Sequence, residues 1–113
     1  MLIKKSNSKK IRNSSKCTVW EYAYPSRKFS FARVLIDERY PEKGMAKNIA
    51  CEEIYYVMSG SGVIHSGKSG FKVKEGDLYF FKKGETYWVE GNKLLLAAVN
   101  APKWTKKQHK HVN

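Results

Sequence analysis

Short β-prone runs separated by turn residues recur along the whole chain, and a helical period is nearly absent. Residues 17–24 and 29–40 form two of these runs, and Pro25 and Pro41 end them. Branched and aromatic residues favour strands, whereas proline interrupts a strand ladder. Similar runs follow at residues 46–58, 63–65, 71–74, 78–81, 86–89 and 94–99. A succession of roughly eight short strands is typical of an all-β sandwich or barrel.

Glycine marks the turns between the later runs. We expect turns at residues 59–62, 67–70 and 90–92, where glycine lies among small and polar residues. Gly76 and Gly84 are expected to adopt positive φ, a backbone conformation that residues with a side chain rarely adopt. These turns complete the pattern of short strands.

The length and composition bound the domain organisation. A chain of 113 residues with 42% hydrophobic and 13% aromatic residues suits one globular domain. We expect a barrel domain at residues 17–102, a flexible or edge-strand segment at 1–16 and a tail at 103–113.

No apolar run is long enough to span a membrane and no apolar stretch follows the basic start, so a cytoplasmic location without a membrane partner is expected. Cys17 and Cys51 are too few for a disulfide scaffold, and reduced thiols are the simplest interpretation.

The positive charge is concentrated at the two ends. The formal net charge is +12, of which residues 1–16 contribute six basic and no acidic residues and residues 103–113 contribute four basic and no acidic residues. Residues 17–102 hold the remaining 12 basic and all 10 acidic residues, a net of +2. Charged termini are commonly just solvated, so specific nucleic-acid binding is not expected.

Two stretches have the residue spacing of a known family. Six residues separate Glu53 from Gly60, and Gly76 is followed by five residues, a segment that ends in Gly84, two more residues and then Tyr87. With these spacings the chain resembles the cupin family, and the resemblance covers most of residues 30–100. It implies a double-sheet jelly-roll cupin barrel.

The same resemblance implies a metal site that this sequence does not retain. Typical cupins use two histidines and a glutamate from the first motif and one histidine from the second. The first-motif histidine positions fall on Lys47 and Ile49, or on Ala46 and Asn48, and the second-motif position falls on Tyr87. Glu53 alone remains, and transition metals require more imidazole, carboxylate or thiolate ligands than one. We therefore predict no metal of the usual cupin type and no other cofactor.

A metal site with other ligands stays open as an alternative. Strand alternation places Cys51 on the same face as Glu53, and His65 or the tail pair His109 and His111 would complete the set. Each residue also has a structural interpretation: a small buried thiol, a hydrogen-bonded surface histidine and a solvated basic tail.

The pocket implied by the resemblance is polar and aromatic. Glu53 and Tyr87 are expected to point into the barrel, Tyr55 shares the face of Glu53, and Asn48 is the best substitute for a lost histidine. We predict that these four residues bind a small polar molecule such as a sugar or an organic acid. A carboxyl group inside an apolar barrel has its pKa raised, so Glu53 and Tyr87 are also the candidate catalytic residues.

Several functions remain open from the sequence. The chain is a ligand-binding cupin, a metal-free isomerase, epimerase or lyase that uses Glu53 and Tyr87, a metal-dependent cupin enzyme with non-standard ligands, or a structural or nucleic-acid-associated protein that uses its basic ends. Whether it is an enzyme is left undecided. Outward-facing Trp88, Tyr56 and Ile54 suggest a homodimer interface, because an outer apolar patch needs a cover.

Overall fold

The computed structural model describes residues 1–113 and contains nine β-strands. The strands are β1 Lys9–Ser14, β2 Cys17–Tyr22, β3 Ser30–Tyr40, β4 Met45–Asn48, β5 Glu52–Ser66, β6 Ser69–Lys74, β7 Leu78–Phe81, β8 Tyr87–Ala101 and β9 His109–Val112. Two short 3-10 turns, Lys5–Asn7 and Lys106–Gln108, are the helical segments. None of them has the length and apolar character that crossing a membrane requires. The predicted all-β fold is confirmed.

The nine strands form one antiparallel sheet that curls into a barrel. β8 pairs with β3, β4 and β5, β1 and β2 extend the sheet beyond β3, and β6 and β7 pair with β5. β5 and β8 contain 15 residues each and pair with each other along nearly their full length. The sheet bends partway along these two long strands. Because both strands continue through the bend, the two faces of the jelly roll share a continuous hydrogen-bonded ladder.

The bend occurs at irregularities that three adjacent strands share. Glu38 in β3, Gly60 in β5 and Lys93 in β8 all have positive φ, and the strand registers shift beside them. A side chain at Gly60 would collide with the carbonyl oxygen of Lys93, and one at Gly91 with that of Ile36. Extra residues in a ladder bend and twist the strand, which is how a sheet turns a corner.

Two of the predicted turns are therefore wrong. Residues 59–62 and 90–92 lie inside β5 and β8, where glycine permits a bulge rather than a chain reversal. The turn at residues 67–70 is confirmed between β5 and β6. The predicted positive φ of Gly76 and Gly84 is also confirmed, with values of 91° and 80°.

Strand alternation places the expected side chains inside the barrel. Along β5 the side chains of Glu53, Tyr55 and Val57 are buried, and along β8 those of Tyr87 and Val89 are buried. The core is completed by buried residues from five other strands and by further residues of β5 and β8, namely Cys17, Val34, Ile36, Tyr40, Ala46, Ile64, Val73, Phe81, Leu94, Leu96 and Ala98. Burial of these apolar side chains stabilises the curled sheet.

Both terminal segments contribute strands. β1 forms the edge of the sheet beside β2, with Lys9 opposite Glu21. β9 pairs with β4, with Met45 opposite Val112 and Asn48 opposite His109. The tail therefore returns to the barrel next to the first cupin-like motif.

Candidate functional site

A cavity of about 760 Å³ opens into one end of the barrel. Its inner wall carries Glu53 and Tyr55 from β5 and Tyr87 and Asn100 from β8. The remaining wall comes from β2 and the residue after it, from β3, from one further residue of β8 and from both terminal segments. These residues are Asn7, Lys9, Ile11, Arg12, Asn13, Cys17, Val19, Glu21, Tyr22, Ala23, Ser30, Phe31, Ala32, Val34, Tyr40, Ala98, Lys103, Trp104, Thr105, Lys106, His109 and His111. Mixed apolar and polar walls of this size suit a small organic ligand.

Two tyrosines stand beside the buried carboxyl group. Tyr55 and Tyr87 are less than 5% exposed, and both line the cavity. Burial raises the pKa of both phenols well above the ordinary value, and the nearby Glu53 charge raises it further. Both tyrosines therefore stay neutral and can donate or accept hydrogen bonds in the cavity.

Glu53 has the protonation behaviour of an acid–base group. Its burial raises its pKa from 4.5 to about 7, although hydrogen bonds from the Asn100 and Asn48 amides lower it in part. Desolvation disfavours a carboxylate, whereas a donated hydrogen bond favours it. Near neutral pH both forms of Glu53 are populated, so it can accept or release a proton.

A network of side-chain amides holds Glu53 in place. The backbone N–H of Ala50 donates to Oε1 of Gln108 at 3.2 Å, which fixes the orientation of that amide. Nε2 of Gln108 then donates to Oδ1 of Asn48 at 2.9 Å, and Nδ2 of Asn48 donates to Oε1 of Glu53 at 3.0 Å. Because the chain of assignments starts from a backbone donor, each amide has one consistent orientation.

His109 joins this network from the cavity side. Its Nδ1 lies 2.9 Å from Oδ1 of Asn48 and its Nε2 lies 2.9 Å from the hydroxyl group of Tyr40. Burial, together with the charge of neighbouring His111, lowers the pKa of His109 to about 4. The ring is therefore neutral near pH 7, with the proton on Nδ1 and with Nε2 accepting from Tyr40.

The structure brings three of the four predicted ligand-binding residues to the cavity wall. Glu53, Tyr55 and Tyr87 line the cavity, whereas Asn48 lies behind Glu53 and reaches the cavity only through its hydrogen bonds to Glu53 and His109. The Asn48 amide occupies the position of a histidine ligand in the first cupin motif, and here it supports the carboxyl group of Glu53 through a hydrogen bond.

The alternative metal ligands do not form a metal-binding group with Glu53, although His109 and His111 line the same cavity. Cys51 is buried, accepts a hydrogen bond from Asn100 and donates one to Gln108. His65 lies on the outer face, where its ring stacks on Trp88 at 3.7 Å and its Nε2 lies 2.6 Å from Oε1 of Glu90. Strand alternation alone does not specify these partners, because they come from β8 and from the 3-10 turn before β9.

The residues present do not fit the metal that the family resemblance implies. No group of three or more His, Cys, Asp or Glu side chains has the geometry to hold a metal ion. Around Glu53 the polar atoms come from amides and neutral phenols, which are weak ligands for transition metals.

Sequence reasoning missed three members of the site, namely Asn100 on the inner wall, Tyr40 and Gln108. Tyr40 and Gln108 carry no motif, and their contacts with the site come from residues 58 to 69 positions away along the chain. Alternation in the tail does supply a signal for the histidines, since His109 and His111 are two residues apart and both line the cavity.

Comparison with known proteins identifies the fold class. No protein-family model and no curated protein matches the sequence. Among solved structures, Pac13, a nucleoside dehydratase, has a TM-score of 0.89 at 18% identity over 100% of this chain and 91% of that chain. Variants of Streptomyces Pac13, in which a histidine or one of two tyrosines is replaced, were solved with uridine.

Two further structures carry the same architecture. An RmlC-like cupin from Shewanella frigidimarina has a TM-score of 0.70 at 10% identity, covering 86% of each chain. A predicted oxalate decarboxylase from Thermotoga maritima has a TM-score of 0.68 at 27% identity, covering 90% of this chain and 99% of that chain. The chain is therefore a cupin-fold protein, which confirms the resemblance seen in its motifs.

Proposed function

We propose that this cupin-fold protein binds a small polar molecule of the sugar or nucleoside class inside its barrel, without the usual cupin metal. The supporting observation is the cavity of about 760 Å³ whose wall carries a buried carboxyl group, Glu53, beside two buried neutral tyrosines. Hydroxyl-rich ligands need several donors and acceptors in a shaped apolar pocket, and this wall supplies them.

The comparison with Pac13 supports a nucleoside as the first probe. That protein was solved with uridine, and the variants made in it replace a histidine and two tyrosines. Here the cavity likewise contains His109 together with Tyr55 and Tyr87. Fold similarity alone does not transfer a function, so the residues of this cavity carry the proposal.

Isothermal titration calorimetry with uridine, ribose and small organic acids tests the proposal. We expect Glu53→Gln and Tyr87→Phe to weaken binding by about tenfold, because each removes a buried polar partner of the ligand. Glu52→Gln and Tyr56→Phe are matched controls, since both residues are exposed on β5 and neither lines the cavity. Equal affinities in all four variants would place the ligand elsewhere, and no binding of any probe would refute the proposed ligand class.

Acid–base catalysis at Glu53 is the second candidate function. It is supported by a carboxyl group with a pKa of about 7 on the cavity wall next to Tyr55 and Tyr87. Such a group can remove a proton from a carbon next to a carbonyl group, or return one, in an isomerase, epimerase or lyase reaction without a metal. Tyr87 then donates a hydrogen bond to the developing oxyanion.

Proton NMR in deuterium oxide distinguishes catalysis from binding. Ketoses, aldoses and nucleosides that the protein binds are incubated with it and followed for deuterium uptake or elimination. We expect exchange with wild-type protein and loss of exchange in Glu53→Gln. A ligand that binds but neither exchanges nor reacts would leave the binding function and exclude the catalytic one for that ligand.

We also propose a homodimer in a cytoplasmic setting. Ile54 and Tyr56 face outward on β5 and lie opposite Phe80 and Leu78 of β7, so the four side chains form an apolar patch on the outer face. A second copy of the same face is a suitable cover, because the patch carries no charge to repel it. The two buried unpaired cysteines support a reducing compartment.

A further inference from the structure

We propose that the ligand of this cavity carries a phosphate group, held at the cavity mouth by basic residues from the two terminal segments. The inference rests on the proposed function and specifies its ligand class. Lys9 and Arg12 lie in β1, and Lys103 and Lys106 lie in the segment before β9. All four residues line the cavity.

The fold, and not the basic composition alone, brings these four residues to one opening. The two basic ends are about ninety residues apart along the chain, on either side of a body whose net charge is +2. The fold brings them to one opening, because β1 extends the sheet beyond β2 while β9 returns to β4. Positive charges gathered around an opening with apolar walls attract and concentrate anions.

None of the four basic residues at the mouth forms an ion pair, although Glu21 lies opposite Lys9 across the β1–β2 ladder. The ion pairs of the chain are Lys16 with Glu38 and His65 with Glu90, and neither includes a mouth residue. Glu21 is the one acidic side chain near the four basic ones along the cavity wall, apart from Glu53 on the inner wall. The mouth therefore keeps a positive charge that a bound anion would neutralise.

The inner wall requires that the anionic group stay at the mouth. A second negative charge beside Glu53 would be repelled and desolvated, whereas a sugar hydroxyl can donate to its carboxylate form. A ligand with a phosphate at one end and a polyol or nucleoside at the other matches this division. Lysine and arginine both bind phosphate oxygens through charge-assisted hydrogen bonds.

A titration with inorganic phosphate, followed by amide NMR of the full chain, tests the mouth directly. We expect saturable shifts at residues 9–12 and 103–106, with little change at Lys82 and Lys83, which are exposed and do not line the cavity. Sodium chloride at equal ionic strength is the control. Equal responses at all lysine-rich surfaces, or the same shifts with chloride, would overturn the phosphate site regardless of what uridine does.

Calorimetry with uridine and uridine 5′-monophosphate tests the ligand class. We expect the phosphate to tighten binding about tenfold at low salt. The double variant Lys103→Gln/Lys106→Gln should remove that gain, whereas Lys82→Gln/Lys83→Gln should bind both compounds as wild type does. Equal affinity for the two compounds would overturn the phosphate inference and keep the proposed function.

Two other outcomes separate the proposals further. Failure of uridine and its phosphate to bind, with phosphate still shifting the mouth, would reject the nucleoside ligand and retain the anion site. Tighter binding of a short oligothymidine, with a steep loss in salt, would overturn the small-molecule inference in favour of a nucleic-acid polyanion.

Discussion

The Nδ1 atom of His109 lies 2.9 Å from Oδ1 of Asn48, although 61 residues separate the two along the chain. The amide oxygen can only accept a hydrogen bond, so Nδ1 of the imidazole carries the proton. Nε2 is then the acceptor for the Tyr40 hydroxyl group. Through Asn48 the same network reaches Glu53, so the tail strand and the inner wall of the cavity form one polar unit.

The amide of Gln108 links the tail to this unit, and its removal should destabilise the protein. In Gln108→Ala, Asn48 loses a donor and the Ala50 N–H loses its acceptor. Buried groups left without partners cost about 1–3 kcal/mol, so the free energy of unfolding measured in urea should fall by that amount. Lys107→Ala is the matched control, since Lys107 is an exposed neighbour. Equal stability of both variants would contradict the linking role.

Glu53 should make the protein less stable as the pH rises. Its folded pKa of about 7 lies above the ordinary 4.5, so the folded state holds the proton more tightly than the unfolded state. The contribution of Glu53 to the free energy of unfolding is fully present below pH 4.5 and is lost as the pH rises to about 7. The loss is roughly 3 kcal/mol in total. Urea unfolding across this range should therefore show wild type losing stability relative to Glu53→Gln, whereas Glu52→Gln follows wild type. Parallel curves for wild type and Glu53→Gln would contradict the raised pKa.

His109 should act in the opposite direction. Its folded pKa of about 4 lies below the ordinary 6.5, so the unfolded state binds the proton first. Its contribution is present above pH 6.5 and is lost as the pH falls towards 4. Wild type should lose stability on acidification relative to His109→Gln, and the control variant Lys110→Gln should follow wild type. A His109→Gln curve parallel to that of wild type would show that the imidazole is solvated.

We expect the purified protein to contain no stoichiometric metal ion, because of the chemistry of the polar groups around Glu53. Amide and phenol ligands bind transition metals weakly, so we expect elemental analysis of untagged protein to find less than about a tenth of a metal ion per chain. Chelator should leave the melting temperature unchanged. About one metal ion per chain would contradict this and would make Glu53, Cys51, His109 and His111 the ligands to test.

The apolar patch on β5 and β7 should be the interface of a dimer. Leu78 and Phe80 are 58% and 51% exposed, and lysine at both positions would place charge inside a sheet-on-sheet contact. Light scattering after size exclusion should give two chains for wild type and one for Leu78→Lys/Phe80→Lys. Ile49→Lys, at an exposed apolar residue outside the patch, should remain dimeric. A wild-type monomer would refute the interface.

Trp88, expected at that interface, has another environment. Its ring stacks on His65, and the guanidinium group of Arg39 lies 4.3 Å from its centroid. Outward orientation is predictable from strand alternation, but whether a neighbouring side chain covers the ring depends on which strands are adjacent. The exposed patch therefore contains Ile54 and Tyr56 without Trp88.

The sequence by itself determined which residues face inward along each strand. The cupin resemblance assigned Glu53 and Tyr87 to the barrel interior, and because a strand alternates its side chains with a period of two, Tyr55 could be assigned to the same face as Glu53. The glycine spacings likewise indicated the cupin fold. The same local rule could not separate a turn from a bulge at Gly60 or Gly91, because both use glycine and only the neighbouring strand decides between them.

The tertiary structure alone decided how the two ends join the site. Contacts of Tyr40 with His109 and of Asn48 with Gln108 span 69 and 60 residues, and no local preference encodes them. They arise because β9 pairs with β4, which sets a tail histidine and a tail glutamine beside the inner wall. The curl of the sheet likewise converts two separate basic segments into one charged opening. Long-range pairing is a property of the whole sheet, and for that reason only the folded chain reveals it.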